Sequence, residues 1–503
     1  MRSSRAHRAT VLCSALVVAA SCGARGPRAA IPSAPSLDAA ARLARDLDAD
    51  LAAPRARAAI WGVRVESLDR PGETLFAHGA DQLMVPASNM KILTLAAAAD
   101  RLGWDHTFAT IVRATAPLEP DGTLRGDLVV RGSGDPTIGN RPESATRLAD
   151  WAEALWQRGL RRVDGRVIGD DGAFANEALG EGWAWDDVPY GYSAPESALI
   201  YNENTAALAI APGPSAGTFA TGRLLDRAAG LRLQVHVMTG PAGSQKDLSL
   251  ARLPGSNLLR VTGTVPAGVE PVVRYVAVDD PAAYFAAALR EALIARGIAV
   301  AGGAGGVDDM PPGPLAPDAP TLFAGQSPPL ADIARRLMKV SQNLYAETFL
   351  RQAAVVPDGQ SSSALGIKAV RDTLTGWGVD PGSFTQSDGS GLSRYNLVSP
   401  TAFVRVLAHL YADPRLKDPW LAALPVAGAD GTLEHRLRGT PAAGRVHAKT
   451  GSLSGVRSLS GYLQTTSGEW LVFSIIANNF AVPAPDIDAV TDGMLQRLVA
   501  FSR

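Results

Sequence analysis

Only two cysteines occur in 503 residues, Cys13 and Cys22, and both lie close to the N-terminus. The rest of the chain therefore has no internal disulfide and no catalytic thiol. An excess of charge of one sign is missing as well: 48 Lys+Arg stand against 49 Asp+Glu, a formal net charge of −1. That balance leaves no footprint for nucleic acid or for an acidic membrane surface. Seven histidines show no metal-ligand spacing, so neither a metal nor another cofactor is expected. No hydrophobic run reaches the ~20 residues that a membrane-spanning helix needs. Aromatic residues are only 6%, yet hydrophobic residues make up 46% and charged ones 19%. Large cores are thus available, and wholesale disorder is excluded. The length predicts about two to four domains.

Lysine is also scarce. Of the 48 basic residues only Lys91, Lys246, Lys339, Lys368, Lys417 and Lys449 are lysines. Where a surface needs positive charge arginine serves as well, but a compact amine whose pKa burial can lower has no guanidinium substitute. The lysines are therefore candidates for chemistry. For Lys246, Lys368 and Lys417 the reading is chance retention on the surface.

Arg2, Arg5 and Arg8 precede an uncharged run, Ala9 to Ser21, that ends in small residues. This pattern predicts an export signal over residues 1–22. Ala19-Ala20-Ser21-Cys22 resembles a bacterial lipobox. That resemblance implies lipid on Cys22 and a chain exported to the periplasm or cell envelope, touching membrane only through its lipid. Ordinary cleavage nearby, with loss of Cys22, is the alternative.

A Pro/Ala-rich linker is expected over 23–36, then a helix over Leu37–Leu51. Two strands, Ala59–Ser67 and Thr74–His78, are joined by the turn Asp69-Arg70-Pro71-Gly72. An apolar helix is predicted over Asn89–Leu102. The region 108–200 reads as βα-rich, 203–272 as β-dominated, and 272–300 as strand–helix–strand. Gly302–Pro320 reads as a linker. Helices dominate from Pro328 to about Tyr411. Three strands, from His447, over Ser458–Thr465 and over Trp470–Asn478, precede a last helix, Pro485–Phe501.

Three motifs follow one another: Ser88-Asn89-Met90-Lys91, Ser341-Gln342-Asn343 and Lys449-Thr450-Gly451. Serine at a helix start and lysine three residues on share a helical face. A partly desolvated amine there can be neutral and accept the serine proton, and the helix N-terminus favours the developing negative charge. Alone this pattern is weakly specific, a capping serine and a snorkelling lysine being the bland reading. Lys449-Thr450-Gly451 is much more specific. A strand edge bearing hydroxyls and a cation suits an extended peptide that ends in a carboxylate, and Gly451 lets backbone approach closely. Ser341-Gln342-Asn343 is common as a pattern, but it interrupts two apolar helical runs, where a polar triplet is awkward unless it faces a cleft. Two of the six lysines fall inside the ordered set.

The set resembles the serine penicillin-recognising enzymes, in which Ser-x-x-Lys and Lys-Thr-Gly elements recur. The long separation between Ser88 and Ser341 is similar to that of the D-Ala-D-Ala carboxypeptidase/endopeptidase family that includes penicillin-binding protein 4 (peptidase family S13). There, extra domains lie between the first two motifs. Gly132-Ser133-Gly134-Asp135-Pro136, Trp185-Asp186-Asp187, Asp388-Gly389-Ser390-Gly391-Leu392-Ser393-Arg394 and Gly428-Ala429-Asp430-Gly431-Thr432-Leu433 extend the match from about 57 to 480. Gln342 stands where relatives commonly carry an acid.

The resemblance implies an α/β fold: a β-lactamase/transpeptidase-like domain, with a five-stranded antiparallel sheet and flanking helices, split into 37–105 and 322–503. An inserted second domain (106–202 and 273–321) would itself carry a β-rich third domain (203–272). The implied reaction is serine D-Ala-D-Ala carboxypeptidase hydrolysis of peptidoglycan stem peptides, extending to cross-links, through an acyl-enzyme that β-lactams trap covalently. Ser88 would be the nucleophile and Lys91 its base. Ser341 would relay a proton to the leaving amine, and Asn343 would hold the substrate amide and Lys91. Lys449 would keep the site electropositive and orient Ser341. Thr450 and Ser452 hydroxyls would receive the terminal carboxylate beside Gly451, and the N–H groups of Ser88 and Ser452 would form the oxyanion hole. Trp183 and Asp186, in the inserted domain, would hold the polar end of the stem-peptide side chain; a tryptophan-rich plug between domains is the competing reading. His447 reads as a packed or exposed polar residue, Lys339 as facing away from the site, and Asp388 as a turn residue beside the cleft. A β-lactamase or esterase on the same scaffold, or a wall-binding scaffold without turnover, are the alternatives.

Overall fold

A computed structural model of the chain describes residues 38–309, 311, 320–354 and 359–503. The export signal, the linker over 23–36 and Cys22 lie outside the described residues. Among the described residues no helix is long and apolar enough to cross a membrane.

The two ends of the described chain build one five-stranded antiparallel sheet. Its order is Val446–Leu453, Val456–Gln464, Trp470–Asn478, Ile60–Ser67 and Thr74–His78. Trp470–Asn478 is almost wholly apolar and sits in the middle, paired from Ile60↔Asn478 to Ser67↔Leu471 on one side and from Val456↔Asn478 to Gln464↔Trp470 on the other. Such a run is what a strand covered on both faces requires. Alternate residues feed two cores. Val472 and Ile476 join the one formed with the helices Met90–Leu102, Leu330–Val340, Asn343–Gln352 and Pro400–Ala412. Leu471, Phe473 and Ile475 join the other, with Ala39–Ala52 and Ala484–Ala500.

Met90–Leu102 is buried continuously from Met90 to Ala99. Hydrophobicity on every side marks a helix enclosed all round, and its alanines allow Asn343–Gln352, Ser363–Gly376 and Pro400–Ala412 to pack close. Gly103, at φ 82°, ends it.

Between the two halves stands a second five-stranded sheet, ordered Ala304–Gly306, Val167–Asp170, Leu128–Arg131, Ala109–Ala114 and Thr321–Gln326. Helices Leu148–Gln157 and Pro281–Arg296 contribute to its core. Two three-stranded sheets follow, one of Arg232–Gly240, Leu258–Pro266 and Asp247–Ala251, the other of Val272–Ala277, Thr205–Ala211 and Thr221–Leu224. Their buried residues, among them Val237 and Val261, belong to the same hydrophobic core as Tyr284 and Leu289. Two expected boundaries shift. Val272–Ala277 pairs with Thr205–Ala211, so the β-rich region extends past 272. Thr321–Gln326 pairs with Ala109–Ala114, so the second sheet continues past 321.

Candidate active site

Ala87–Asn89 forms a single 3₁₀ turn leading into the helix Met90–Leu102. Ala87 stands at φ 48°, a left-handed conformation that is unfavourable for a residue with a Cβ. Ser88 is partly exposed, whereas Lys91, one turn on, is fully buried. Lys91 Nζ lies 3.0 Å from Ser88 Oγ, 2.7 Å from Asn343 Oδ1 and 2.7 Å from the Ser390 carbonyl oxygen. Burial brings its pKa down to about 7 against the opposing pull of Glu347 and Asp388. The partners suit a neutral amine. In a neutral amine the two N–H bonds would go to the two oxygens that cannot donate, leaving the lone pair for the Ser88 hydroxyl.

The second motif occupies a helix–helix junction, which explains its polarity. Ser341 caps the helix Leu330–Val340 in the left-handed conformation, φ 62° and ψ 42°. Gln342 is the N-cap of the next helix, its side chain accepting from Leu344 N, and Asn343 is that helix's first residue. The other end of the Gln342 amide donates to Glu203 Oε2 at 2.8 Å. Asn343 Nδ2 donates to the Tyr192 carbonyl at 2.7 Å, so the inserted region already holds the nitrogen expected to meet substrate.

Lys449-Thr450-Gly451 lies within the edge strand Val446–Leu453. Lys449 is fully buried, and its Nζ donates to Ser341 Oγ and to the Thr450 carbonyl, both at 2.8 Å. Burial, then the neighbouring Lys91, lowers its pKa. Two buried amines on one cleft resist being charged together. Gly451 is required by the protein's own packing: a Cβ there would meet Ser458 Oγ at 2.1 Å, the Pro86 carbonyl at 2.6 Å and Ser88 N at 3.0 Å. The strand is thereby pressed against the Ala87–Asn89 turn. Thr450 Oγ1 donates to Thr432 Oγ1 at 2.7 Å, and an Arg457 N–H donates to Ser452 Oγ.

A loop over 387–396 completes the wall. Asp388 is buried and accepts from Gly391 N, Ser393 N, Asn396 Nδ2 and Trp183 Nε1. It is a fastening of the loop, in accord with the turn reading. Trp183 is thereby corrected. Its indole is tied to Asp388 at 2.9 Å and does not line the cleft. Trp185 is 66% exposed and does not line the cleft either, whereas Asp186 does. His447 lies 6.1 Å from Trp470 between ring centroids, and Lys339 Nζ donates to the Leu424 carbonyl and Asp430 Oδ2. Neither lines the cleft.

Ser88, Ser341, Asn343, Thr450, Ser452 and Asp186 all border one open cleft of about 1060 Å³. Tyr192, Arg394 and Thr432 border it too. Sequence reasoning gave these three no role, although Arg394 and Thr432 stand inside motifs that it had singled out.

The D-Ala-D-Ala carboxypeptidase 3 (S13) family model matches residues 43–500. A D-alanyl-D-alanine carboxypeptidase of Actinomadura sp. (strain R39) is 37% identical over 473 residues, covering 92% of this chain and 85% of the relative. The D-alanyl-D-alanine carboxypeptidase DacB of Haemophilus influenzae is 28% identical over 415 residues, covering 80% and 82%. The crystal structure of penicillin binding protein 4 from Haemophilus influenzae superposes with a TM-score of 0.78 at 25% identity, over 92% of this chain and all of that one. A crystal structure of that protein complexed with a β-lactam has a TM-score of 0.70 at 23% identity, over 92% and 98%.

Proposed function

The chain belongs to the D-Ala-D-Ala carboxypeptidase 3 (S13) family, and from that premise we propose how its own residues carry the reaction. The chain is a penicillin-sensitive serine D-Ala-D-Ala carboxypeptidase. Ser88 Oγ attacks the carbonyl between the two terminal D-alanines while its proton passes to Lys91 Nζ. The observation that carries this reading is the set of partners around Lys91, two acceptors and one hydroxyl. The oxyanion forms against the N–H groups of Ser88 and Ser452, a donor pair of the kind that lowers a barrier by about 3 kcal/mol or more. As the C–N bond breaks, Ser341, fixed by Lys449 at 2.8 Å, relays to the departing amine the proton that Lys91 took from Ser88. Thr450, Ser452 and their partners Thr432 and Arg457 form the receptor for the terminal carboxylate. Water then hydrolyses the acyl-enzyme. A β-lactam follows the same acylation path and remains on Ser88.

Natural substrates are peptidoglycan stem peptides outside the cytoplasm. Export depends on the signal over 1–22, with lipid on Cys22 holding the enzyme at the envelope. Asp186 receives a free ammonium of the stem-peptide side chain. The decisive test is Ser88→Ala, expected to abolish both D-alanine release and covalent penicillin labelling while the protein stays folded. Full-stoichiometry labelling of that variant sinks the assignment.

A further inference from the structure

Asp388-Gly389-Ser390-Gly391 contributes no side chain to the proposed chemistry, yet its backbone touches the base. The Ser390 carbonyl is one of the two acceptors on Lys91 Nζ. A peptide carbonyl stays where its own chain is held, and here the holding group is Glu347. Glu347 Oε2 accepts Gly389 N at 2.6 Å and Oε1 accepts Ser390 N at 2.8 Å. The loop has no slack. A Cβ on Gly389 would meet the Ala346 carbonyl at 2.5 Å and Glu347 Oε2 at 3.0 Å. One on Gly391 would meet the Ala87 carbonyl at 1.8 Å and Ser88 N at 3.0 Å. The Gly389 carbonyl accepts Thr94 Oγ1 at 2.8 Å. The segment is thus wedged between Glu347 and the nucleophile turn.

Glu347 is 1% exposed and lies four residues after Asn343 on one helix, hence on the same face. That face supplies both acceptors of Lys91: Asn343 directly, Ser390 through Glu347. We infer that Glu347 is a positioning residue for acylation, its carboxylate holding the Ser390 carbonyl on the Lys91 amine and supplying the negative charge that favours arrival of the Ser88 proton there. The inference rests on the reading of Lys91 as general base.

Every charged group around the pair bears on this. Lys91 stands on the nucleophile helix, Asp388 on the loop, Lys449 on the edge strand, Glu196 and Glu177 on the inserted region, and Arg351 one turn further along Glu347's own helix. Arg351 is engaged by Glu196 and by the carbonyls of Ala175 and Glu177. Asp388 is satisfied by three donors of its loop and by the Trp183 indole. Glu347 alone among these acids is bonded to the residue that touches Lys91 Nζ. Burial, then Asp388 and Glu196, push its pKa well above the ordinary carboxylate value, and its bonds to Ser390 and Gly389 offset only part of that; both of its oxygens nonetheless accept backbone N–H bonds, the arrangement of an ionised carboxylate.

The test is the pH profile of acylation in Glu347→Gln, followed with benzylpenicillin and with a D-Ala-D-Ala peptide. Loss of the charge should move the midpoint of the acid limb down by about one unit, as removal of a nearby opposite charge does. Loss of the clamp should lower the plateau about tenfold or more. A fallen plateau with the midpoint fixed means a purely structural residue and overturns the inference, as does a wild-type profile. Should the variant not fold, wild-type protein carrying carboxyl-¹³C glutamate decides. Glu347 should be ionised, and its signal should step as Lys91 titrates; a Glu347 protonated through pH 8 overturns the idea. Wild-type enzyme that neither labels with penicillin nor releases D-alanine would instead sink the underlying reading of the site.

Discussion

Acylation should titrate with Lys91. Its amine is buried completely, and its pKa falls from 10.5 to about 7. That displacement corresponds to about 5 kcal/mol disfavouring the ammonium. Desolvation therefore outweighs the attraction of Glu347 and Asp388. Only the neutral form has a lone pair for the Ser88 proton. The second-order rate of penicillin acylation should be half its plateau near pH 7 and about a hundredfold below it two units lower. Stopped-flow acylation in excess penicillin isolates this step from deacylation, and circular dichroism at each pH separates titration from unfolding. A midpoint near 10, or a flat profile between pH 5 and 9, would refute the argument. The sign for stability runs the same way. The native pKa lies below the unfolded value, so between about 7 and 10.5 the unfolded chain binds more protons. Folding stability from this group therefore rises with pH across that window.

The remaining predictions separate the roles of neighbouring groups. Lys91→Arg keeps the charge without a neutral amine, and acylation should fall by about 10²–10⁴. Lys449→Arg should be milder; equal losses would argue against distinct roles. Asp186→Asn should lower kcat/KM about tenfold or more for peptides with a free side-chain amine and leave penicillin acylation unchanged, whereas a matched loss on both makes Asp186 structural. Cys22→Ser should release the enzyme from the membrane fraction, and a wild-type enzyme already soluble with another N-terminus would overturn lipidation.

What could be read in advance was local. Ser88 and Lys91 share a helical face because of their spacing, and the structure sets them 3.0 Å apart. Trp470–Asn478 could be read as a strand from its apolar run, and the structure covers it on both faces. Pairing partners distant in sequence were not legible. The Gly/Pro-rich stretch from Gly302 reads as a linker, yet Ala304–Gly306 within it is the edge strand of the second sheet, and nothing in it says that Thr321–Gln326 crosses to Ala109–Ala114. Trp183 carried a false signal, since an indole next to an acid reads as a binding wall. Its N–H is instead bonded to Asp388, 205 residues away in sequence. Glu347 did leave a trace, an acid inside the apolar run Leu344–Arg351, but its partners are backbone groups and backbone groups have no sequence signature.

The least legible feature is the conformation of the chain on either side of the chemistry. Ala87 precedes the nucleophile at φ 48°, and Ser341 itself stands at φ 62°. Neither is glycine, so each costs about 1–2 kcal/mol relative to right-handed backbone. Such conformations persist where surroundings over-determine them, and here the surroundings are identifiable. Ala87 is buried, with Ser458 Oγ bonded to the Pro86 carbonyl at 2.6 Å before it and the Lys91 contact after it. Ser341 is fixed by Lys449 at its hydroxyl and by the capping Gln342 at its C-terminal side. The two strained residues aim two hydroxyls at one substrate, Ser88 as the proposed nucleophile and Ser341 as the proposed proton relay. Their geometry is therefore set before substrate arrives, by stability drawn from the cores on both faces of the sheet, and the binding energy of the peptide need not supply it.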